Sequence, residues 1–225
     1  MRDAAMPKLV DVIFLDIDGV LLPFGGGARI GDRQQHNELT RHTEGCIFPD
    51  RTMEALTTLL TRLNASGEEA TNDDASSSLS SYHAKLVLSS TWRARPEFVE
   101  DILSSFRAYA IARGREDATV LRVWKSHSDS FFDVTDPNYH ATRHEEILNW
   151  VWTKANNARE EYIVRSWIAL DDEDLVNVEG RVLPEAIKHA VKTESSVGLT
   201  LTEVCLGVRL IETQIREFHL MKRKI

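Results

Sequence analysis

Short apolar runs alternate along this chain with segments of helical periodicity, in which apolar residues recur every three or four positions. Apolar strands that alternate with amphipathic helices indicate a parallel sheet with helices on both faces. We therefore expect an α/β fold built on a doubly wound, Rossmann-like parallel sheet. The predicted strands span residues 9–16, 85–90, 118–124, 162–170 and, more weakly, 188–193.

Four predicted helices have recognisable start signals. An N-cap side chain satisfies a free backbone N–H at the start of a helix, and proline suits the first helical position. In a capping box, a Ser or Thr and a Glu three residues later satisfy two such groups. The signals are Asp50, Pro96 for a helix through about residue 112, Thr142 with Glu145 for a helix that ends near residue 157, and Thr200 with Glu203.

The length of 225 residues predicts a single domain, residues 1–225, with insertions. Residues 65–83 are rich in Ser, Asp and Glu and have few large apolar side chains, so we expect a mobile surface insertion. Residues 25–48 contain several glycines and are too few for a separate cap domain, which predicts a small flap. We find no internal repeat, which argues against solenoids and propellers.

Charge and cysteine content narrow the class of protein. Lysine and arginine total 27 against 35 acidic residues, a formal charge of −8, which disfavours unselective binding to a polyanion but leaves a local basic path possible. The two cysteines, Cys46 and Cys205, form neither a disulfide framework nor a cysteine zinc site. Because no uncharged stretch is long enough for a membrane span and the start lacks a signal-peptide pattern, we expect no membrane association and a cytoplasmic location.

Acidic residues follow two of the predicted strands. Asp16 and Asp18 end the first strand in DIDGV, and Asp171 and Asp172 begin an acidic quartet after the fourth. Asp18-Gly19 alone is also typical of a turn, and an isolated acidic run also suits a solvated cap. However, ligands of such sheets bind at the carboxyl ends of the strands, and clustered carboxylates repel each other unless a cation lies between them. Oxygen ligands of this kind predict a Mg²⁺ site.

Hydroxyl groups and arginines are candidates for binding an anion. Ser89, Ser90 and Thr91 follow the second strand and could cradle a phosphate, with Arg93 contacting its oxygens, although hydroxyls are also common in turns. Arg143 lies at the first position of its helix, where the helix dipole disfavours a cation, so it is either a solvent-facing side chain or one directed at an anion. Lys125 and Lys154 are alternatives for that second role.

Together these motifs resemble the haloacid dehalogenase (HAD) phosphohydrolase superfamily, which has Asp-x-Asp-x-[Val/Thr] after the first strand, Ser or Thr after the second and an acidic pair after the fourth. The more detailed match is to the HAD-like domain of "Swiss army knife" RNA-repair proteins. It covers about residues 9–24 and 85–210 and excludes 25–48 and 65–83. The stretches that carry it are SSTWR, RHEEILNWVW, ALDDED and VGLT. Arg143 occupies the third-motif position, where the family usually has lysine.

The resemblance implies a role for each candidate. Asp16 would be the nucleophile that forms an aspartyl-phosphate, and Asp18 the general acid and base. Mg²⁺ would be held by Asp16, the main-chain carbonyl of Asp18, and Asp171 or Asp172. Phosphoryl stabilisation would come from Ser89, the amide of Ser90 and Arg143. The further residues predicted to bind substrate are Thr91, Arg93 and Gly19.

The substrate expectation is a phosphorylated compound, and a lightly capped site suggests the end of an RNA or DNA strand. Its backbone would be contacted by some of Arg93, Arg95, Arg29, Arg33 and Arg41. The alternatives are a phosphatase of sugar or nucleotide phosphates and a catalytically silent HAD-fold module that binds nucleic acid or protein. A phosphate-accepting receiver domain is disfavoured by the order of its acidic residues. Trp92, beside the hydroxyl groups, is the tryptophan that we consider for stacking on a base.

Overall fold

A computed structural model describes residues 8–24, 41–65, 84–114, 131, 133–136, 142–155, 162–178 and 180–223. Within these ranges the helices are α1 (Asp50–Ala65), α2 (Pro96–Ala112), α3 (Arg143–Ala155) and α4 (Leu201–Lys222). The strands are β1 (Lys8–Leu15), β2 (Ala84–Leu88), β3 (Asp133–Val134), β4 (Tyr162–Asp171), β5 (Asn177–Val178), β6 (Arg181–Val182) and β7 (Ala190–Lys192).

The main sheet has five parallel strands in the order β3-β2-β1-β4-β7. The chain builds outward from β1 through β2 to β3, and then crosses to the other side of β1 to form β4 and β7. The strand order therefore reverses between β1 and β4, where sheets of this kind bind ligands. A separate antiparallel pair, β5 and β6, follows β4.

Side chains of β1 alternate between two cores, as the two-residue period of a strand requires. Ile13 and Leu15 pack on one face in the core that includes buried residues of α1, α2 and α4. Val12 and Phe14 pack on the opposite face with Ile147 and Trp150 of α3. Helices thus cover both faces of the sheet, and the predicted doubly wound α/β fold is confirmed.

One charged group lies inside β1. Asp11 is buried, and its carboxylate accepts hydrogen bonds from Arg165 Nε and Nη2 at 3.0 and 2.6 Å and from Ser166 Oγ at 2.7 Å. A buried carboxylate is tolerated when it is paired and hydrogen-bonded in this way. The register shift between Val10 and Asp11 in the pairing with β4 occurs beside this cluster.

Four of the five predicted strands are confirmed, with bounds that differ by a few residues. The remaining prediction, 118–124, lies outside the described residues, and the strand beside β2 is the two-residue β3, which the sequence did not indicate. Residues 25–40 of the predicted flap and 66–83 of the predicted insertion also lie outside them, so the single domain, flap and insertion stay predictions. In the described part of the chain, no helix has both the length and the apolar character needed to cross a bilayer.

All four predicted helix starts are close to the observed ones. Asp50 is the first residue of α1 rather than its N-cap, while Pro96 opens α2 as predicted. In α4, the side chain of Thr200 accepts from the backbone N–H of Thr202 at 3.2 Å, and that of Glu203 accepts from the N–H of Thr200 at 3.0 Å. The predicted capping box is therefore present.

Removal of this cap should destabilise the protein. Thr200→Ala leaves backbone N–H groups of α4 without partners, and we expect a loss of about 1 kcal/mol in the free energy of unfolding, measured by urea denaturation. The control is Thr213→Ala in the interior of the same helix, where the exposed Thr213 hydroxyl donates to the Arg209 carbonyl. Because alanine has the higher helix propensity, this control should be neutral or stabilising. Equal losses in the two variants would contradict the capping role.

Candidate active site

The two acidic segments meet at the point where the strand order reverses. Leu15 pairs with Leu170 in the β1–β4 register, and the amide of Asp16 donates to the carbonyl of Leu170 at 3.1 Å. One carboxylate oxygen each of Asp16, Asp171 and Asp172 lies within 4.8 Å of the others. The structure therefore brings together three of the four predicted metal-binding residues through their side chains. Asp18 was predicted to contribute its main-chain carbonyl, and its carboxyl is outside this cluster.

Gly19 allows Asp172 to approach the first loop. Its φ of +68° is in the left-handed region, and a Cβ at this position would lie 2.3 Å from Asp172 Oδ2. The amide of Gly19 donates to the Leu22 carbonyl at 2.8 Å, and its carbonyl accepts from Thr193 Oγ1 at 2.9 Å. Both backbone groups are engaged within the protein, so Gly19 shapes the loop, and its contact with substrate stays a prediction.

Thr193, which the sequence analysis missed, ties two of these segments together. It directly follows β7 and is buried; its amide donates to the Asp171 carbonyl at 2.9 Å, while its hydroxyl donates to Gly19. The edge strand thus holds the Gly19 loop against the end of β4. A threonine after a weakly patterned strand carries no distinctive sequence signal.

The acidic quartet after β4 divides into two parts. Asp171 and Asp172 belong to the carboxylate cluster, whereas Asp174 accepts hydrogen bonds from the amides of Val176 and Asn177 at 3.1 and 2.9 Å. The exposed Asp174 therefore makes the turn that was the alternative interpretation of the whole run. The metal-site interpretation thus applies to Asp171 and Asp172, and the turn interpretation applies to Asp174.

Burial makes the negative charges of this cluster unfavourable. It raises the pKa of Asp171 to about 8, with a further increase from Asp16 and an opposing effect of Arg143. Burial also raises the pKa of Asp16, again opposed by Arg143. Asp171 Oδ2 lies 3.2 Å from Arg143 Nε, but the two atoms are not aligned for a hydrogen bond, so this buried oxygen lacks a hydrogen-bond partner within the described ranges. Three clustered carboxylates beside one arginine fit a hard divalent cation.

Arg143 is the cation nearest to these carboxylates. It is the first residue of α3, preceded by the predicted Thr142–Glu145 capping box, and its side chain is 9% exposed. Its guanidinium lies 3.8 Å from Asp16 and 3.6 Å from Glu146, in addition to the contact with Asp171. Of the alternatives, Lys154 instead pairs with Asp133 at 2.9 Å, and Lys125 lies outside the described residues.

The hydroxyl turn after β2 borders the Asp16 side of the site. The amide of Ser89 donates to the Leu15 carbonyl at 3.0 Å, which holds the turn beside the end of β1. Ser89 Oγ is buried and has no hydrogen-bond partner among the described residues, so it is available to a ligand. The Ser90 hydroxyl is hydrogen-bonded to Asp16 and lowers the pKa of that carboxyl. Thr91 is exposed at the start of a short 3₁₀ helix, Thr91–Ala94.

Arg93 is engaged within the protein, and its predicted contact with a phosphoryl group stays a prediction. Its side chain is 7% exposed and forms an ion pair with Glu146 at 2.7 Å. Its Nη1 also donates to the carbonyls of Ser89 and Ser90 at 3.2 and 2.5 Å. Arg93 therefore stabilises the hydroxyl turn through these backbone carbonyls. A single sequence cannot distinguish this arginine from one that faces a ligand, because its partner comes from another helix.

Glu146, in α3, links the two buried arginines. One carboxylate oxygen pairs with Arg93, and the other lies near Arg143 and accepts a short hydrogen bond from Thr135. Glu146 is part of the RHEEILNWVW stretch, but the sequence analysis gave it no separate role. The network fixes Arg143 with respect to both the hydroxyl turn and the end of β3.

Asp18 lies at the outer side of the site and is half-buried. Its Oδ2 accepts a hydrogen bond from the indole Nε1 of Trp92 at 3.0 Å. The Trp92 ring also contacts Phe98, with ring centroids 5.1 Å apart. The residue considered for base stacking thus has a contact with the predicted general acid, which the sequence did not reveal.

Of the arginines predicted to contact a nucleic-acid backbone, Arg95 is exposed and lies over the Phe98 ring at 5.1 Å. The side chain of Arg41 is 79% exposed and lies 3.5 Å from Asp50. Arg29 and Arg33 lie outside the described residues.

Comparison with known proteins identifies a family for this chain. The model of a family described as "HAD domain in Swiss Army Knife RNA repair proteins" matches residues 12–204, a range that includes Asp16, Ser89, Arg143 and Asp171. This is the family that the sequence motifs resemble. A search of the curated proteins and a search of the solved structures each found no match.

The Glu146 network should be essential for stability. Glu146→Gln removes the anion that Arg93 and Arg143 share, and leaving buried charges unpaired typically costs about 3–5 kcal/mol. We expect a loss of this size in the free energy of unfolding, measured by urea denaturation. The matched control is Glu100→Gln, which breaks the exposed pair of Glu100 with Arg107 and should cost less than about 1 kcal/mol. A loss for Glu146→Gln no larger than that of the control would contradict the role of the network.

Proposed function

Because the chain belongs to the family of HAD domains found in Swiss Army Knife RNA repair proteins, we propose that it is a magnesium-dependent phosphohydrolase that acts through an aspartyl-phosphate. The observation that carries the proposal is the surroundings of the Asp16 carboxylate. It lies within 4.8 Å of carboxylate oxygens of Asp171 and Asp172 and 3.8 Å from Arg143, and it accepts a hydrogen bond from Ser90. These are the charges and donors that a carboxylate needs beside an anionic phosphoryl group.

In the first half of the reaction, an Asp16 oxygen attacks phosphorus and the bond from phosphorus to the leaving oxygen breaks. Asp18 gives its proton to that oxygen, so the leaving group departs as an alcohol and Asp18 becomes a carboxylate. The Arg143 guanidinium interacts with the phosphoryl oxygens, as does the Ser89 hydroxyl, which has no hydrogen-bond partner among the described residues. A covalent intermediate divides one difficult displacement into two easier ones.

In the second half, Asp18 accepts a proton from water as the water oxygen attacks the phosphorus of the aspartyl-phosphate. The bond between phosphorus and the Asp16 oxygen breaks, which releases inorganic phosphate and restores the Asp16 carboxylate. Asp18 ends the cycle protonated, ready for the next substrate. Both aspartates thus return to their starting states without an external acid or base.

The metal would be held by the side chains of Asp16, Asp171 and Asp172, with the main-chain carbonyl of Asp18 as the further ligand. The buried Asp171 Oδ2, which lacks a hydrogen bond within the described ranges, supports this assignment. A bound Mg²⁺ would neutralise the charge of the carboxylates and of the phosphoryl oxygens. Arg143, beside Asp16 and Asp171, also offsets part of this negative charge.

For the substrate, we propose the phosphorylated end of a nucleic acid. The family of RNA repair proteins supports this class, and exposed Arg95 and Arg41 could contact a backbone. We place the protein in the cytoplasm, which is supported by the free thiols of Cys46 and Cys205. A phosphatase of sugar or nucleotide phosphates and a silent binding module are the competing functions, and the assays below separate them.

Asp16→Asn should abolish phosphate release. Asparagine keeps the shape of the side chain but removes the anionic nucleophile, and we expect turnover to fall by more than about a thousandfold. Mg²⁺-dependent release of phosphate would be measured with oligonucleotides phosphorylated at the 5′ or 3′ end and with sugar phosphates. The control is Asp101→Asn, at an exposed position of α2, which should match the parent.

Several outcomes of these assays would contradict the proposal. Equal turnover by Asp16→Asn and the parent would exclude Asp16 as the nucleophile. Turnover of sugar phosphates with none of the oligonucleotides would favour the small-molecule phosphatase. If calorimetry detected no Mg²⁺ binding and no compound were turned over, the silent binding module would be favoured.

Asp171→Asn should remove a pH dependence of stability. The pKa of Asp171 is raised to about 8 from 3.8, so between these values the folded protein holds this proton more tightly than the unfolded chain does. Without divalent ions, the free energy of unfolding should therefore fall as the pH rises through this range. Thermal unfolding at several pH values would show this fall for the parent and a flatter profile for Asp171→Asn.

The same experiment tests the metal site. At pH 8, Mg²⁺ should raise the Tm of the parent and have little effect on Asp171→Asn. The control Asp174→Asn changes an exposed aspartate of the neighbouring turn and should retain both the pH dependence and the response to Mg²⁺. A parent Tm that does not respond to Mg²⁺ at pH 8 would contradict the site.

A further inference from the structure

The Asp18 carboxyl has a fixed hydrogen-bond donor. Trp92 Nε1 donates to Asp18 Oδ2 at 3.0 Å, and no second hydrogen bond holds this side chain in the part of the chain that the structure describes. We propose that Trp92 is a positioning residue, which orients Asp18 for proton transfer to the leaving group. The inference rests on the proposed function, in which Asp18 is the general acid and base.

Trp92 is itself held at several points. Its amide donates to Ser90 Oγ at 3.4 Å, and its carbonyl accepts from the amide of Arg95 at 3.2 Å. Its ring contacts Phe98 and packs partly against the main core. Ser90 is also hydrogen-bonded to Asp16, so the same turn holds the donor to Asp18 and a partner of the nucleophile.

The chemistry of indole favours one Asp18 oxygen as the site of the proton. An indole N–H is a donor only, so it cannot accept a hydrogen bond from a protonated carboxyl. Oδ2 accepts this hydrogen bond, and because the carbonyl oxygen of a carboxyl is the stronger acceptor, the contact favours the acidic proton on Oδ1. The contact thus orients the carboxyl and favours one oxygen for exchange of the proton. Small displacements of a reacting group can lower a rate by about a hundredfold.

This role predicts a dependence on the leaving group. An alkoxide needs a proton as it departs, because it is a strong base, whereas p-nitrophenolate departs readily without one. Trp92→Phe removes the N–H and keeps an aromatic ring. We expect kcat/KM, which covers the steps through formation of the aspartyl-phosphate, to fall by about 10-fold to 100-fold for an alkyl phosphate and by less than about threefold for p-nitrophenyl phosphate.

A matched control exists elsewhere in the chain. Trp150 Nε1 donates to Asp133 Oδ2, also at 3.0 Å, so Trp150→Phe removes the same kind of hydrogen bond away from the carboxylate cluster. This variant should retain the parent's ratio of the two kcat/KM values. Benzothienylalanine has sulfur in place of the indole N–H, and placing it at position 92 preserves the bicyclic ring. It should reproduce the effect of Trp92→Phe and decides the question if that variant folds poorly.

A measurement without catalysis tests the contact itself. The indole N–H resonance of Trp92, assigned by its absence from the spectrum of Trp92→Phe, should shift in Asp18→Ala. An unshifted resonance would overturn the proposal. So would equal losses of kcat/KM for both esters in Trp92→Phe, or no loss for either, when the parent is active and needs Asp16. If the parent shows no Mg²⁺-dependent turnover of any phosphate ester, the proposed function fails and this inference fails with it.

Discussion

The parallel pairing of β1 with β4 is the constraint on which the rest of the structure depends. Because Leu15 pairs with Leu170, the next residues, Asp16 and Asp171, leave neighbouring strands at the same level. Two carboxylates about 4 Å apart repel each other by about 4 kcal/mol at an effective dielectric of 20. The apolar faces of the same strands provide the burial that holds these charges together. Arg143 reduces the repulsion, and Asp171 Oδ2, which has no hydrogen bond within the described ranges, is where we propose that a further positive charge binds.

Much of the fold and of this carboxylate cluster could be predicted from the sequence, because the relevant signals are local. Strand periodicity and the capping residues Thr142 and Thr200 are read within a few positions of the chain. The Asp16 and Asp171 clusters follow strands that a parallel sheet must align at one edge. Arg143 was identified because a cation at a helix start is locally unfavourable.

The contacts that could not be predicted join segments that are far apart in the sequence. Arg93 was expected to face a phosphoryl group, but its partner Glu146 lies on a helix more than 50 residues later. The Trp92 indole, which we considered for stacking, donates to Asp18, a contact that the sequence did not indicate. Such partners depend on how helices are placed over the sheet. The two-residue strand β3 was also missed, because two residues are too few to show a periodicity.

The position of Thr193 has a consequence for biosynthesis. Its two hydrogen bonds join the first loop, at Gly19, to the end of β4, so the cluster is completed by a residue near the end of the folded core. A nascent chain on the ribosome exposes Asp16 and Asp18 long before either Asp171 or Thr193 has been synthesised. Throughout that interval the loop with Asp16 and Asp18 has no second acidic segment beside it, so the repulsion between the two segments is absent. The concentration of negative charge therefore cannot form before β4 has been synthesised.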